Sequence, residues 1–440
     1  MTKEASGPSA GPPRAGPHPS GGSAGVPVGR GANRSPAMGF ILITVLIDMI
    51  AIGLIVPVLP LIVGTFTSNP TEQTFWFGAV AFAFGLANFF GSPILGGLSD
   101  RYGRRPVLLL GFAGLALSFI VTGLATALWV LIVVRLFSGA MQANAAVANA
   151  YVADITPPAE RARRFGLLGA MFGLGFTLGP AIGGYLGAIN VHLPFFVAGG
   201  LAVMNWLYGY FVLPESLPVE RRRAFSWQRA NPVGAVKALS QLKGVGPLVV
   251  VAALASLAQF TMHNSWVLYT TFKFGWGPAD NGKSLFAVGV MSVLVQGFLL
   301  KHLLKRFTPM KLAAIGLVGS SLTYLGFGLA AEGWMMFAVI IVGTLIGSGA
   351  QASITSLLSN AASSHEQGQT MGSMASLTSL MAVLAPVVSA GLLGLVSHRP
   401  RGDVWIGMPF FFCALLQATG ATLAILHFRR QRALGVQATA

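Results

Sequence analysis

Asp48 is the residue of this 440-residue chain whose surroundings most clearly suggest chemistry, because it lies in a long apolar segment. An ionisable side chain in such a segment, when the segment crosses a membrane, is a candidate for a proton or substrate pathway. A carboxyl group in a dry site can take up and release a proton as its surroundings change. Asp48 is therefore predicted to couple the protein to protons, and a structural role as a helix cap or bridge remains the alternative.

Arg135 is the one basic residue well inside an apolar segment, and it begins a series of polar residues at intervals of seven. Gln142 and Asn149 follow it, and this spacing places all three on roughly one face of a helix. A polar face on a membrane helix is expected to meet protein or water. Gln142 and Asn149 are predicted either to contact a substrate in a cavity or to form hydrogen bonds between helices.

A second polar face contains Gln259, His263 and Trp266, spaced at i, i+4 and i+7. The imidazole of His263 can titrate near neutral pH, although a buried histidine is often simply hydrogen-bonded. Gln351 is the polar counterpart in a later segment. We predict that these four residues line a substrate cavity.

These residues must be positioned by membrane helices, because charged residues make up only 9% of the chain and apolar residues 54%. Apolar runs of about 20 residues, the length that crosses a bilayer as a helix, recur along the chain. Their lack of alternation excludes a β-barrel. The predicted fold is an all-α polytopic membrane protein with twelve spans, near 38–63, 74–95, 107–126, 128–152, 165–188, 193–213, 246–270, 284–300, 312–331, 333–358, 371–396 and 404–427.

The formal charge of +16 is distributed unevenly between the two sides of these spans. Only Lys273, Lys283, Arg399 and Arg401 fall on one side, and the other basic residues outside the spans fall on the side that carries both termini. Cytoplasmic loops carry the excess of lysine and arginine. We therefore predict that both termini are cytoplasmic, and that the charge orients the protein in a lipid bilayer rather than binding nucleic acid.

The sequence lacks the patterns of an enzyme. It has no metal-ligand cluster, phosphate-binding loop, nucleophile elbow or nucleotide-binding motif, so no cofactor or metal is expected. The single cysteine, Cys413, excludes an intrachain disulfide.

The spans are divided six and six by a polar segment. We predict a disordered cytoplasmic tail at 1–36, a first six-helix half at 37–213, a cytoplasmic linker at 214–245, a second half at 246–428 and a short tail at 429–440. The halves repeat: Glu160, Gly166 and Pro180 recur at identical spacing as Glu366, Gly372 and Pro386. Such a parallel repeat predicts a binding cavity between the halves near the bilayer midplane.

The loop between spans two and three concentrates glycine and charge and matches the pattern G-x-x-x-D-R-x-G-R-R. The matching residues are Gly96, Asp100, Arg101, Gly103, Arg104 and Arg105. This pattern resembles the signature of the major facilitator superfamily, where the loop holds the two halves together on the cytoplasmic side. Gly96 would let a partner helix approach closely, and Gly103 would permit the tight turn.

Span five carries a second pattern, G-P-x-x-G-G, within a glycine-rich stretch. Its residues are Gly175, Gly179, Pro180, Gly183 and Gly184. The stretch resembles the antiporter motif of drug exporters in the same superfamily, and small residues let helices pack closely in lipid. The resemblance implies export rather than import. In the same family an R-x-x-x-G pattern in span four, here Arg135 and Gly139, is linked to proton transfer, which makes Arg135 the expected partner of Asp48. A polar clamp between helices remains the alternative role of Arg135.

The chain also resembles the tetracycline-exporter branch over residues 37–428, for example at Gly53–Pro60 and Tyr151–Thr156. It departs from that branch at two positions, because the functional acids of spans three and nine are replaced, with Ser118 and Ser320 in their places. The substrate therefore need not be tetracycline.

Together these observations predict a monomeric inner-membrane transporter that exports a small amphipathic compound, tetracycline-like or another drug, in exchange for protons. Two alternatives remain. One is a facilitator or proton symporter for a small nutrient such as a sugar, and the other is a membrane scaffold or sensor without transport activity.

Overall fold

The computed structural model describes residues 34–142, 144–227, 231, 233–234, 246–347, 349–361 and 367–433. The predicted tail at 1–36 lies almost entirely outside these residues, as do much of the predicted linker and the end of the chain from 434.

Twelve helical segments of the described chain are long and apolar enough to cross a membrane. This number confirms the sequence prediction, and the helices extend past the predicted apolar runs at several ends. We number them as spans one to twelve: Met38–Gly64, Pro70–Tyr102, Arg104–Gly123, Leu128–Ile155, Pro158–Ile189, Leu193–Val212, Gly246–Phe274, Pro278–Arg306, Pro309–Leu329, Gly333–Leu358, Thr370–Val396 and Val404–Arg430.

Three spans are interrupted near their middle or end. Span one consists of helices Arg34–Ile55 and Leu59–Gly64, on either side of Pro57, which cannot donate a backbone hydrogen bond. Span four breaks between helices Leu128–Met141 and Asn144–Ile155, and span ten breaks between Gly333–Gly347 and Ala350–Ala361. Spans four and ten are equivalent in the repeat, so the two halves share this break.

Span eight is also irregular. Helix Pro278–Leu294 continues through a π-helical turn at Val295–Leu299 into helix Leu300–Arg306. Such a turn is often found at functional sites in membrane and soluble helices alike.

The helices within each half pack in the same pairs. In the first half, spans one, two and three pack mainly on spans five, four and six. In the second half, spans seven, eight and nine pack on eleven, ten and twelve. The correspondence supports the internal repeat that the sequence indicated. Across the halves, span two packs on span eleven and span five on span eight.

The second half has an aromatic core next to the space between the halves. Trp266 packs edge-on against Phe327 and near Phe410, and Tyr269 lies 4.5 Å from Phe410 between ring centroids. The Tyr269 hydroxyl donates to the Phe327 carbonyl oxygen at 2.5 Å. This core fixes span seven against spans nine and twelve.

Candidate functional site

A cavity of about 1740 Å³ lies between the two halves. Residues of spans one to five and seven to eleven line it. Pockets for drug-sized ligands are roughly 300–1,000 Å³. The cavity therefore has room for such a ligand together with water.

The halves touch at one end of the bundle. We call the end that carries the Gly96–Pro106 loop and the connection between the halves the linker end, and the opposite end the far end. At the far end the hydroxyls of Thr71 and Ser397 lie 2.8 Å apart across the halves. Gly184 also packs against Gly282, where a Cβ would come within 2.7 Å of the Gly282 Cα.

The linker end is splayed. A Cβ added at Gly96, Gly166, Gly297 or Gly372 would meet no atom within 4 Å. Gly166 and Leu300 line the cavity even though each lies within two turns of the linker end of its helix. The cavity is therefore open toward the linker end and closed at the far end.

The glycine-rich stretch of span five forms two packed faces. Gly175, Gly179 and Gly183, spaced four residues apart, lie against span one, and a Cβ at Gly179 would come within 2.7 Å of the Gly53 Cα. The other face, with Pro180 and Gly184, meets span eight of the second half. The predicted close packing is present, and this one helix joins span one to the opposite half.

A capped turn before span twelve lies at the far end of the second half. The backbone N–H of Trp405 and the guanidinium of Arg399 donate to the carboxylate of Asp403 at 2.8 and 3.1 Å. These hydrogen bonds lower the pKa of Asp403, so the turn stays capped at neutral pH.

The charges that line the cavity are all of one kind. Among its described lining residues, Arg135 and His263 can carry a positive charge, and none is an aspartate or a glutamate. Asparagine, glutamine, serine and threonine side chains supply the remaining polarity, together with the phenol of Tyr324. The cavity wall is therefore mostly apolar, with neutral polar groups and one guanidinium among its described residues.

Arg135 is 5% exposed and borders this cavity. Its Nε and Nη2 atoms are buried without a hydrogen-bond partner, and it takes part in no ion pair among the described residues. A buried charge without a partner is costly, since each buried ion loses its hydration. The guanidinium therefore requires a partner that the described protein atoms do not supply.

Span seven contributes the predicted polar face. Gln259, His263 and Trp266 all line the cavity. His263 Nδ1 donates to the Gln259 carbonyl oxygen at 2.9 Å, which leaves its other ring nitrogen to accept hydrogen bonds. Trp266 Nε1 donates to the Ser284 hydroxyl at 3.0 Å, and its ring is only 3% exposed because it packs in the aromatic core of the second half.

Gln142 and Gln351 both line the cavity, at the equivalent breaks of spans four and ten. Asn149 does not: its amide donates to the Ala145 carbonyl oxygen at 2.8 Å, and it is absent from the cavity wall. The predicted common face with Arg135 is wrong because span four is not one continuous helix. The break at Gln142, where φ is −87° and ψ is 70°, turns the second helix relative to the first.

Asp48 lies inside the first half and not at the cavity wall. It is 4% exposed, and both its carboxylate oxygens accept from Asn144 Nδ2 at 3.3 Å. A void of about 10 Å³, close to the size of one water molecule, adjoins it. The expected pairing with Arg135 is not formed, because Asp48 faces span three and Asn144 while Arg135 borders the cavity.

The Gly96–Pro106 loop is held by a network at the linker end of the first half. The buried guanidinium of Arg104 bonds to Asp100 at 2.6 Å and to Asp154 at 3.1 Å. Gly103 makes the turn at φ 111°, a conformation that favours glycine. Asp100 thus forms an ion pair with Arg104.

Glu215, after span six, completes this network. Its carboxylate accepts from the backbone N–H groups of Arg104 and Arg105 at 2.9 and 3.3 Å, so it caps the start of span three. Arg105 donates to the Tyr210 carbonyl oxygen, and Arg101 lies over the ring of Tyr102.

The described contacts of this loop stay within the first half and the segment that follows span six. The loop was expected to hold the two halves together, and Gly96 to admit a partner helix. Neither contact is formed in this structure, because the linker ends of the halves stand apart.

The sequence matches the family model described as Major Facilitator Superfamily over residues 41–386. The chain belongs to the major facilitator superfamily. It is a multi-pass membrane protein and a transporter of small molecules, not an enzyme.

Members of this superfamily with curated names include tetracycline resistance proteins. The class C protein of Escherichia coli is 35% identical over 374 residues, which cover 84% of this chain and 93% of that protein. The class B protein of Escherichia coli is 32% identical, over 85% and 93% of the two chains. The crystal structure of the nucleoside transporter NupG superposes with a TM-score of 0.73 at 15% identity, over 89% of this chain and 99% of that one, and this likeness concerns the fold.

The two serines at which this superfamily member departs from the exporter pattern have different surroundings. Ser320 lines the cavity, whereas Ser118 is buried and its hydroxyl has no hydrogen-bond partner. Neither position brings a carboxylate to the cavity.

Several functional candidates were missed in the sequence. Asn144, the partner of Asp48, and the cavity residues Asn88, Asn264 and Tyr324 were not singled out. The available signal was a polar side chain within an apolar span. No three His, Cys, Asp or Glu side chains of the described chain come together as a metal site requires.

Proposed function

We propose that this transporter exports a small amphipathic compound across the inner membrane in exchange for protons, by alternating access. The observation that carries this proposal is the cavity of about 1740 Å³ between the halves, open at the linker end and closed at the far end. The relationship to tetracycline resistance proteins supports export.

The orientation follows from charge. The linker end carries the excess of lysine and arginine, and such an excess marks the cytoplasmic side. With both termini in the cytoplasm, the open cavity takes up its substrate from inside the cell. Closure of the linker end and opening of the far end then release it outside.

Span five is suited to carry the motion between the halves. It packs through glycines against span one on one face and against span eight on the other. Contacts between backbones without intervening side chains let helices tilt against each other without repacking large groups.

Asp48 is proposed as the proton-binding group. Its carboxylate receives the Asn144 amide, and Asn144 begins the second helix of span four, directly after the break at Gln142. Protonation removes the negative charge that this amide stabilises. It therefore weakens the contact between span one and the broken span, two elements that also line the cavity.

The direct test uses the purified protein in liposomes with an imposed pH gradient and a trapped pH-sensitive dye. Tetracyclines, quinolones, phenicols, lipophilic cations and aromatic acids are added one at a time. Proton movement that depends on a compound supports antiport and identifies the class of substrate. Transport of a compound down its own gradient with no proton movement contradicts the proposal and favours a facilitator for a nutrient.

A further inference from the structure

The described wall of the cavity carries one guanidinium, one imidazole and no carboxylate. Arg135 and His263 are its groups that can be positive, and the other polar groups are neutral amides and hydroxyls. A cationic substrate would find no opposite charge among these residues. It would also be repelled by the guanidinium, an interaction that low-dielectric surroundings strengthen.

Arg135 itself has no hydrogen-bond or ion-pair partner for its side chain among the described residues. The Arg135 side chain lies at the cavity wall and is only 5% exposed. Its Nε and Nη2 atoms have no hydrogen-bond partner among the described residues. Asp48, the carboxylate that the sequence predicted as the partner of Arg135, accepts a hydrogen bond from Asn144 instead. An arginine of this kind is best satisfied by a carboxylate or phosphate, which its planar fork can bind through two parallel hydrogen bonds.

The entrance to the cavity carries an excess of positive charge. Arg161, Arg163 and Arg164 precede the cavity residue Gly166 in span five, where Arg164 is paired with Glu160 at 3.1 Å. Lys305 and Arg306 follow the cavity residue Leu300 in span eight. Charges of one sign around a cleft attract ligands of the opposite sign and raise their rate of entry.

The neutral part of the cavity suits the remainder of an amphipathic acid. Gln142 and Gln351 offer amide donors and acceptors from both halves, and the less buried Phe176 and Phe260 offer aromatic faces. A molecule with one acidic group and an aromatic body could place the acidic group at Arg135 and the aromatic body against these aromatic and amide side chains.

We propose that this transporter recognises organic anions, with Arg135 binding the acidic group of the substrate. This inference rests on the transport function proposed above and specifies the substrate class of the same cavity. Export of an anion in exchange for a proton moves charge in the direction that an interior-negative membrane potential favours. The potential and the pH gradient then both drive export.

The test compares aromatic acids with their own amides, so that only the charge differs. The full-length protein is purified, and its thermal midpoint is measured with naphthalene-2-carboxylate, anthracene-9-carboxylate and quinoline-carboxylates, each beside the corresponding carboxamide, and with naphthylmethylammonium as the cation. Equilibrium dialysis then gives Kd values for the compounds that raise the midpoint. We expect acids to bind about tenfold more tightly than their amides, about 1.4 kcal/mol at 25 °C.

Variants assign the preference to Arg135. Arg135→Gln should remove the advantage of the acid while leaving amide binding unchanged, and Arg135→Lys should retain part of it. Arg429→Gln, which removes one exposed charge outside the cavity, is the matched control and should bind like the original protein. Retained amide binding demonstrates that Arg135→Gln is folded.

Three results would overturn the inference. They are a panel in which no acid binds more tightly than its amide, a preference for the cation, and a loss of amide and acid binding to the same extent in Arg135→Gln. Proton flux in liposomes separates this inference from the proposed antiport. Charge-selective binding without proton flux contradicts the antiport alone, and proton-coupled transport of neutral or cationic compounds without acid preference contradicts the anion inference alone.

Discussion

At the scale of single residues, Asp48 and Arg135 occupy different environments. Asp48 is sealed inside the first half beside an amide and a void the size of one water molecule, whereas Arg135 borders the cavity between the halves. A proton site and a substrate site separated in this way can influence each other through span four. This helix contributes Arg135 before its break and Asn144 after it.

We predict that Asp48→Asn abolishes transport driven by a pH gradient, because the amide cannot bind and release a proton. Exchange of labelled for unlabelled substrate across the liposome membrane needs no proton cycle, and it should persist in the same variant. Membrane abundance serves as the control for folding. Wild-type rates of pH-driven transport in Asp48→Asn would rule out this carboxyl as the coupling group.

Glu215 is a second residue with a defined local role, because its carboxylate caps the start of span three and also accepts from the N–H groups of Ser216 and Leu217. We predict that Glu215→Gln destabilises the protein by about 1 kcal/mol, the usual effect of losing a charged cap, and lowers the thermal midpoint. Glu220→Gln removes an exposed charge from the same segment and is the matched control. Equal midpoints for the two variants would show that the cap contributes nothing.

At the scale of elements, span five combines two tightly packed faces with an open stretch. Near the far end its glycines lie against span one and span eight, and near the linker end Gly166, Gly169 and Gly173 meet no neighbouring atom within 4 Å of a Cβ. The same helix is therefore close-packed where the halves meet and free where the cavity opens.

This contrast gives a matched pair of substitutions within one helix. We predict that Gly183→Ala lowers the free energy of unfolding by about 1–3 kcal/mol, because its Cβ would collide with the Leu54 carbonyl group. The thermal midpoint and the transport rate should both fall. Gly173→Ala should be tolerated, since nothing lies within 4 Å of its Cβ. A similar loss in both variants would mean that flexibility of the helix, rather than packing against span one, is what these glycines provide.

At the scale of the whole molecule, spans two and eleven run past each other in a regular register. Thr71 lies opposite Ser397, Gly78 packs against Ala390, and Gly85 against Val383. Continued toward the linker end, this register brings Gly96 opposite Gly372. Both glycines have empty space around them here, so they can come together when that end closes.

We predict that a disulfide between Thr71→Cys and Ser397→Cys, in a Cys413→Ala background, holds the far end shut and stops transport until it is reduced. Oxidation with copper phenanthroline and gel mobility after cleavage between the halves measure the cross-link. Full transport by the oxidised protein would contradict alternating access.

The matching pair at the linker end reports the opposite state. Gly96→Cys with Gly372→Cys should cross-link slowly in the state described here. It should cross-link faster when a transported compound promotes closure of that end. A rapid cross-link regardless of compound would mean that the linker end is closed at rest.

The sequence by itself determined the twelve spans and the family, and it predicted the two repeats and the close packing of span five. Each of these depends on local composition or on short motifs, such as the G-P-x-x-G-G stretch. Such features can be read without knowing how the helices pack. It also identified five of the polar residues that line the cavity, Arg135, Gln142, Gln259, His263 and Gln351, because polar side chains in apolar helices avoid lipid. Others, such as Asn88 and Asn264, were missed.

Only the tertiary structure decided which of these residues meet. Asp48 contacts Asn144 rather than Arg135, and Asn149 leaves the cavity face because span four breaks at Gln142. Helical periodicity holds only while a helix is continuous, and contacts between spans depend on crossing geometry that one helix does not encode. The loop at Gly96 stands apart from the second half for a related reason. The motif predicts a contact between the halves that belongs to the state in which the linker end is closed. In this structure the far end is packed shut and the linker end is open.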